Sequence, residues 1–288
     1  PELSGLLAAT GSLVAAATLG TLLAADKQTP LLGGSVLTNL GAHAHFAAVG
    51  WVGVTIGALS FRFLPAFLLP TVEVADAARR LVVALVVAVI ALVGALLVRS
   101  PLLWPATLGV ATALVSYAVL CLRVIRSHRL PVDWTTRHAV ASVLWCLTAV
   151  AGGTALAAHG ADTPLGAHLA AAYGVAGILG WMSNLVIGMS YKLFPGFVAA
   201  ARAHTGRAAV PIATLGVSSR VQGAVLLAFN AGVAAAVGGL LADRVELLRA
   251  GSVTLAGAAG VYAAATGRTL ALAVLDPRRA ADPLSVLP

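Results

Sequence analysis

The amino-acid sequence predicts an all-α integral membrane protein in which eight transmembrane helices form two parallel four-helix repeats. Three observations carry that expectation: the composition, eight apolar runs of spanning length, and one motif that recurs at a fixed offset. Of 288 residues, 60% are hydrophobic and 10% charged, and the mean hydropathy is +0.97. Soluble domains carry about 25% charged residues, so an ordinary water-soluble enzyme is excluded. A membrane β-barrel would alternate in polarity over segments of roughly 10 residues. Here apolar runs of about 20 residues, the length a membrane helix needs, are divided by short charged stretches.

The first run, 3–25, lacks a basic segment ahead of it, so it reads as a span and not as a cleaved leader. The recorded chain begins Pro1-Glu2, which fits an excerpt of a longer polypeptide. The second run, 34–61, carries His43 and His45 near its start. The third and fourth, 78–98 and 102–122, are parted by Arg99-Ser100-Pro101. The fifth to eighth cover 138–158, 165–193, 221–242 and 247–266. Prolines punctuate the connections at 30, 65, 70, 101, 131, 164, 195 and 211, and Pro65 and Pro195 are expected to end the second and sixth helices. Cys121 and Cys146 both fall in apolar runs without CxxC spacing and read as packing residues.

With the N-terminus on one side, that side receives fourteen of the 18 basic residues. They fall in four groups: Arg62, Arg79 and Arg80; Arg123, Arg126, Arg129 and Arg137; Lys192, Arg202, Arg207 and Arg220; Arg268, Arg278 and Arg279. Only Lys27, Arg99, Arg244 and Arg249 lie opposite. The positive-inside rule makes the basic side cytoplasmic, with both termini inside, in a cell inner or plasma membrane. The net charge of +8 thus expresses topology and not nucleic-acid binding.

The repeat is read from two stretches. Gly50-Trp51-Val52-Gly53 and Ser60-Phe61-Arg62-Phe63-Leu64-Pro65-Ala66-Phe67 recur as Gly180-Trp181-Met182-Ser183 and Ser190-Tyr191-Lys192-Leu193-Phe194-Pro195-Gly196-Phe197. The matched positions share one register, 130 residues apart. An even number of spans separates the copies, so both have the same orientation across the membrane. The halves are 1–130 and 131–288. The motif is expected to pack the second and sixth spans together at the centre through Gly50, Gly57, Gly180 and Gly188.

Seven histidines provide the strongest chemical signal. His128, His138 and His204 fall on the basic side among arginines and read as interfacial side chains. His43, His45, His159 and His168 share the opposite side, from three segments. Ionisable groups within spans are costly and mark function; neutral imidazole commonly ligates iron, copper and zinc. These four are the candidate metal or haem ligands. At about 100° per residue His43 and His45 diverge by about 200°, so one undistorted helix cannot offer both to one metal. His43 shares a stripe with Asn39, Gly50 and Gly57 and is the expected inward ligand, with Asn39 as acceptor for its second ring nitrogen. Trp51, Tyr173 and Trp181 are expected to line a quinol pocket.

The segment His43-Ala44-His45-Phe46, with Gly50-Trp51-Val52-Gly53 and Phe61-Arg62-Phe63-Leu64-Pro65, resembles the His-x-His-Leu, Gly-Trp-Val, Tyr-x-x-x-Pro helices of proteins related to haem-copper oxidase subunit I. The resemblance extends to the haem- and copper-containing NnrS family and to membrane regions fused to copper nitrite reductases in some actinobacteria. It implies redox chemistry, with a b-type haem and/or copper held at the position of His43 or His45. The sequence has no His-His dipeptide, no His-x-x-x-Tyr pair in a span, and eight helices in place of twelve, which argues against an oxygen-reducing centre.

The leading expectation is therefore a haem- or copper-binding electron-transfer module. It would take electrons from a membrane quinol and pass them to a redox protein or fused domain on the outer face, copper nitrite reductase among them. A small-molecule or metal transporter is the second reading, although Asn39, Asn184, Gln222 and Asn230 look too scattered to define a path. A non-catalytic membrane anchor subunit is the third.

Overall fold

A computed structural model describes residues 2–29, 31–33, 36–127, 129–206 and 211–272. Pro30, Gly34, His128, Arg207, Arg278 and Arg279 lie outside these residues. Among the described residues the chain is helical throughout, and eight helices are long and apolar enough to cross a membrane. They are α1 (Glu2–Asp26), α2 (Val36–Leu68), α3 (Ala75–Leu97), α4 (Leu103–Arg126), α5 (Trp134–His159), α6 (Pro164–His204), α7 (Ser219–Leu241) and α8 (Val245–Ala271). All-helical spans follow from the solvent: a bilayer core cannot satisfy loose backbone N–H and C=O groups, so each segment must do so internally.

Two helices outrun their expected ends. α2 continues past Pro65 to Leu68, and α6 past Pro195 to His204. An internal proline removes one N–H bond and costs about 3 kcal/mol. The turns beyond each proline offset this by packing: Leu64, Leu68, Val198 and Arg202 are all buried. Both helices also widen to π geometry part-way, over His45–Gly53 in α2 and Ala176–Ser183 in α6. Such segments are rare and concentrate at functional sites.

One core joins α1 to α6, with Trp181, Met182 and Leu185 of α6 packed among residues of α2, α4 and α5. A smaller cluster of Ile187, Tyr191, Val225, Phe229 and Ala258 binds α6 to α7 and α8. α7 and α8 approach closely where a Cβ on Gly239 would lie 2.6 Å from the Leu248 nitrogen. Lipid offers no hydrophobic drive for such pairing, so small residues and close dispersion contact supply it.

The meeting point of α2 and α6 differs from expectation. Gly50 faces Ser12 of α1, Gly180 faces Trp145 and Gly188 faces His138, both of α5, and Gly57 has open space beside it. The two spans touch instead at Gly53, where a Cβ would lie 3.2 Å from Trp181. The π segments shift the helical faces, so a stripe drawn at 100° per residue misplaces the contact. Across the bundle, Ser60 of α2 and Tyr117 of α4 share a hydrogen bond of 3.1 Å. The Tyr262 hydroxyl of α8 donates to Ser190 of α6 at 2.9 Å.

Candidate functional site

α2 to α6 enclose a cavity of about 540 Å³ at the face opposite the basic loops. Leu37, Leu92, Leu103 and Leu114 give it apolar walls, and Arg99 and Asp162 stand at its rim. The tight α5–α6 connection shapes that rim: Gly160 has φ 76°, and its carbonyl leaves no room for a Cβ on Gly166. Ligand sites typically occupy 300–1,000 Å³ with a few convergent polar groups.

His45 and Tyr173 are those groups. Each lies nine residues into its span, about 14 Å of helix, so α2 and α6 bring them to one depth. Their rings stack at 6.0 Å between centres with 26° between planes. His45 Nδ1 lies 2.7 Å from the Gly41 carbonyl oxygen, which can only accept. The ring proton is therefore on Nδ1, and Nε2 accepts from the Tyr173 hydroxyl at 3.3 Å. Tyr173 is backed by Gly153 of α5, where a Cβ would lie 3.2 Å from the phenol ring.

The other expected residues disperse. His43 turns to α1, where its Nδ1 donates to the Ala16 carbonyl at 2.9 Å and its ring fills the space beside Gly20. Asn39 is buried, but donates to the Gly33 carbonyl at 3.2 Å and is not the acceptor for His43 Nδ1. His168 faces α7, with Nδ1 2.6 Å from the Leu240 carbonyl. His159 is exposed at the end of α5. Trp51 is 41% exposed on the lipid-facing surface, whereas Trp181 is buried against Tyr117 and does not line the cavity.

This arrangement bears on the expected cofactors. Among the described residues no three His, Cys, Asp or Glu side chains come together as a metal-holding group, so the donor set does not fit a copper centre. His45 is the one imidazole in the cavity lining. A haem there would have a single axial ligand and would have to displace Tyr173, and the residues do not fit a haem held between two imidazoles.

Sequence reasoning missed a second polar cluster. His138, read as interfacial, is fully buried, with Nδ1 donating to Asn184 Oδ1 at 3.0 Å. Asn184 and Asn230, which looked scattered, bond to each other, and Trp145 Nε1 donates to Asn230 Oδ1 at 2.7 Å. The usable signal was the spacing of His138, Ser142 and Cys146 on one stripe of α5, all of which are buried. At the mouth of this region Asp133 caps α5 through the Thr136 N–H and meets Lys192 at 2.7 Å. Burial alone would raise the Asp133 carboxyl, but the Lys192 and Thr136 hydrogen bonds outweigh it and hold the group below its ordinary range.

No family model, curated protein or solved structure matches the chain.

Proposed function

We propose that the chain is a quinol-linked electron-transfer module of the plasma membrane, with its basic face and both termini in the cytoplasm. The His45–Tyr173 pair at the floor of an apolar cavity carries this reading. A flat hydroquinone ring fits leucine walls, and its hydroxyl can take the place of the Tyr173 hydroxyl on His45 Nε2. Nε2 then accepts a proton as the quinol is oxidised, while Tyr173 turns to the quinol oxygen. The second proton leaves through the Arg99–Asp162 rim. Two electrons pass, one at a time, to a metal centre of a partner or fused domain on the same face, such as a copper nitrite reductase. Haem and copper belong, in this reading, to that partner.

The same reading takes the fold as two parallel four-helix repeats. Its support is in paired contacts. Ser60–Tyr117 and Ser190–Tyr262 are equivalent hydrogen bonds. Phe61 meets Tyr117 edge-on at 75°, and Tyr191 meets Tyr262 at 71°. The π segments end at Gly53 and Ser183, again 130 residues apart. His43 and Tyr173 are equivalent positions, and each packs on glycine of the preceding helix.

Binding of a short-chain quinone to protein in lipid nanodiscs tests the function. Tyr173→Phe is expected to weaken binding roughly three- to tenfold, and His45→Ala more. Unchanged affinity in both variants would refute the quinol site. A Soret band lost in His43→Ala would instead place a haem between α1 and α2.

A further inference from the structure

The buried cluster at the basic end of α5 has a defined hydrogen-bond polarity. Asn184 Nδ2 donates to the Gly180 carbonyl at 2.7 Å and to Asn230 Oδ1 at 3.1 Å, while Asn230 Nδ2 donates back to Asn184 Oδ1 at 3.0 Å. Asn184 Oδ1 therefore only accepts, and His138 carries its ring proton on Nδ1. This leaves a lone pair on Nε2, which has no hydrogen-bond partner among the described residues. The buried Tyr191 hydroxyl also has none, and its ring centre is 5.8 Å from that of His138. Tyr191 lines a polar pocket of about 510 Å³ that holds Asp133, Arg137, Lys192, Ser219 and Gln222. A tyrosine thus stands between a polar pocket at the basic face and a fully buried base.

We propose that His138 is a proton-binding site filled from the basic face. A proton from water in the Asp133–Lys192 pocket passes by way of Tyr191 to Nε2. The imidazolium so formed keeps its Nδ1–H bond to Asn184, which becomes charge-assisted and stronger. No electron moves, and no other bond breaks. A histidine buried in a membrane interior is expensive unless such a role or partner exists.

The groups around the site set its balance. α6 presents Asn184, Tyr191 and Lys192; α7 presents Asn230 and Gln222; α8 presents Tyr262 against Tyr191. α4 adds Tyr117 and Cys121 to the adjoining core, and α5 itself carries Asp133, Arg137 and Cys146. Lys192 is neutralised by Asp133, and Arg137 stacks on Trp134 at 4.3 Å. The pocket therefore keeps one positive charge, so the proton is held by the base and its fixed acceptor and is not drawn in by the field.

Deuterium exchange at the imidazole carbon, followed by peptide mass spectrometry, reads each histidine separately in the full chain in nanodiscs. His138 is expected to exchange along a sigmoidal profile between about pH 5 and 8. Tyr191→Phe should slow that exchange roughly three- to tenfold while leaving the exposed His159 unchanged, and Asn184→Leu should move the midpoint to lower pH. If His138 in the wild-type chain fails to exchange over the whole range while His159 does, the proposal is overturned. A His138 profile identical in wild type and Tyr191→Phe overturns it equally. The wild-type profile decides the matter even where the Asn184 variant does not fold.

Discussion

Replacing Gly180 by alanine probes the packing that holds α5 to α6. The new Cβ would lie 2.6 Å from Trp145 Cγ, 2.7 Å from Cδ2 and 2.8 Å from Cβ. Two of these atoms belong to a rigid indole and the third is the root of the side chain, so the ring has to move as a unit. Its movement is opposed by the Trp145 Nε1 bond to Asn230 at 2.7 Å. Overpacking of this kind costs about 1–3 kcal/mol, and a lost hydrogen bond adds about 0.5–1.5 kcal/mol. Alanine returns up to about 1 kcal/mol through helix propensity. The net loss is about 1–3 kcal/mol, roughly five- to 150-fold in the unfolding equilibrium. Gly57→Ala is the control, since nothing lies within 4 Å of its Cβ position; it should be neutral or slightly stabilising. Cys121 and Cys146 are both buried, so a thiol-reactive fluorogenic dye reports unfolding on heating or in mixed detergent. Equal stability of Gly180→Ala and Gly57→Ala would refute the α5–α6 packing described above.

Further expectations use the same readout. Tyr117→Phe and Tyr262→Phe should each cost about 0.5–1.5 kcal/mol and add in the double variant, because their hydrogen bonds belong to separate halves of the bundle; strong coupling would contradict that separation. Asp133 has a folded pKa below its unfolded value, so its stabilisation is present above the unfolded value and is lost as pH falls through the folded one. Asp133→Asn should keep the cap, flatten this acid dependence and cost up to about 1 kcal/mol at neutral pH, since both partners are partly solvated. Trp51→Ala should leave stability within about 0.5 kcal/mol, whereas Trp181→Ala should cost about 3–5 kcal/mol. Equal effects would mean that Trp181 is not the buried member of the pair.

The eight spans were legible because each is set by local composition over about 20 residues. Their ends were less so. Pro65 and Pro195 are local breakers, yet the buried Leu64, Leu68, Val198 and Arg202 hold the helices together around them. The candidate site was legible only in part. His45 and Tyr173 were both among the expected residues, but the sequence favoured His43, on a stripe drawn with a regular 3.6-residue period. The π segments that begin at His45 and Ala176 change that period, and no local propensity announces them.

What the sequence by itself determined is the solvent this chain occupies, the number of its crossings, and the sidedness of its charges, since these depend only on sums over short windows. Which histidine meets a cavity, which is locked against a neighbouring carbonyl, and which is buried beside Asn184 were decided by the tertiary structure. The physical reason is that a side chain's chemistry depends on partners distant in the chain. His45 finds Tyr173 across 128 residues and His138 finds Asn184 across 46, and no window of local sequence contains both members of either pair.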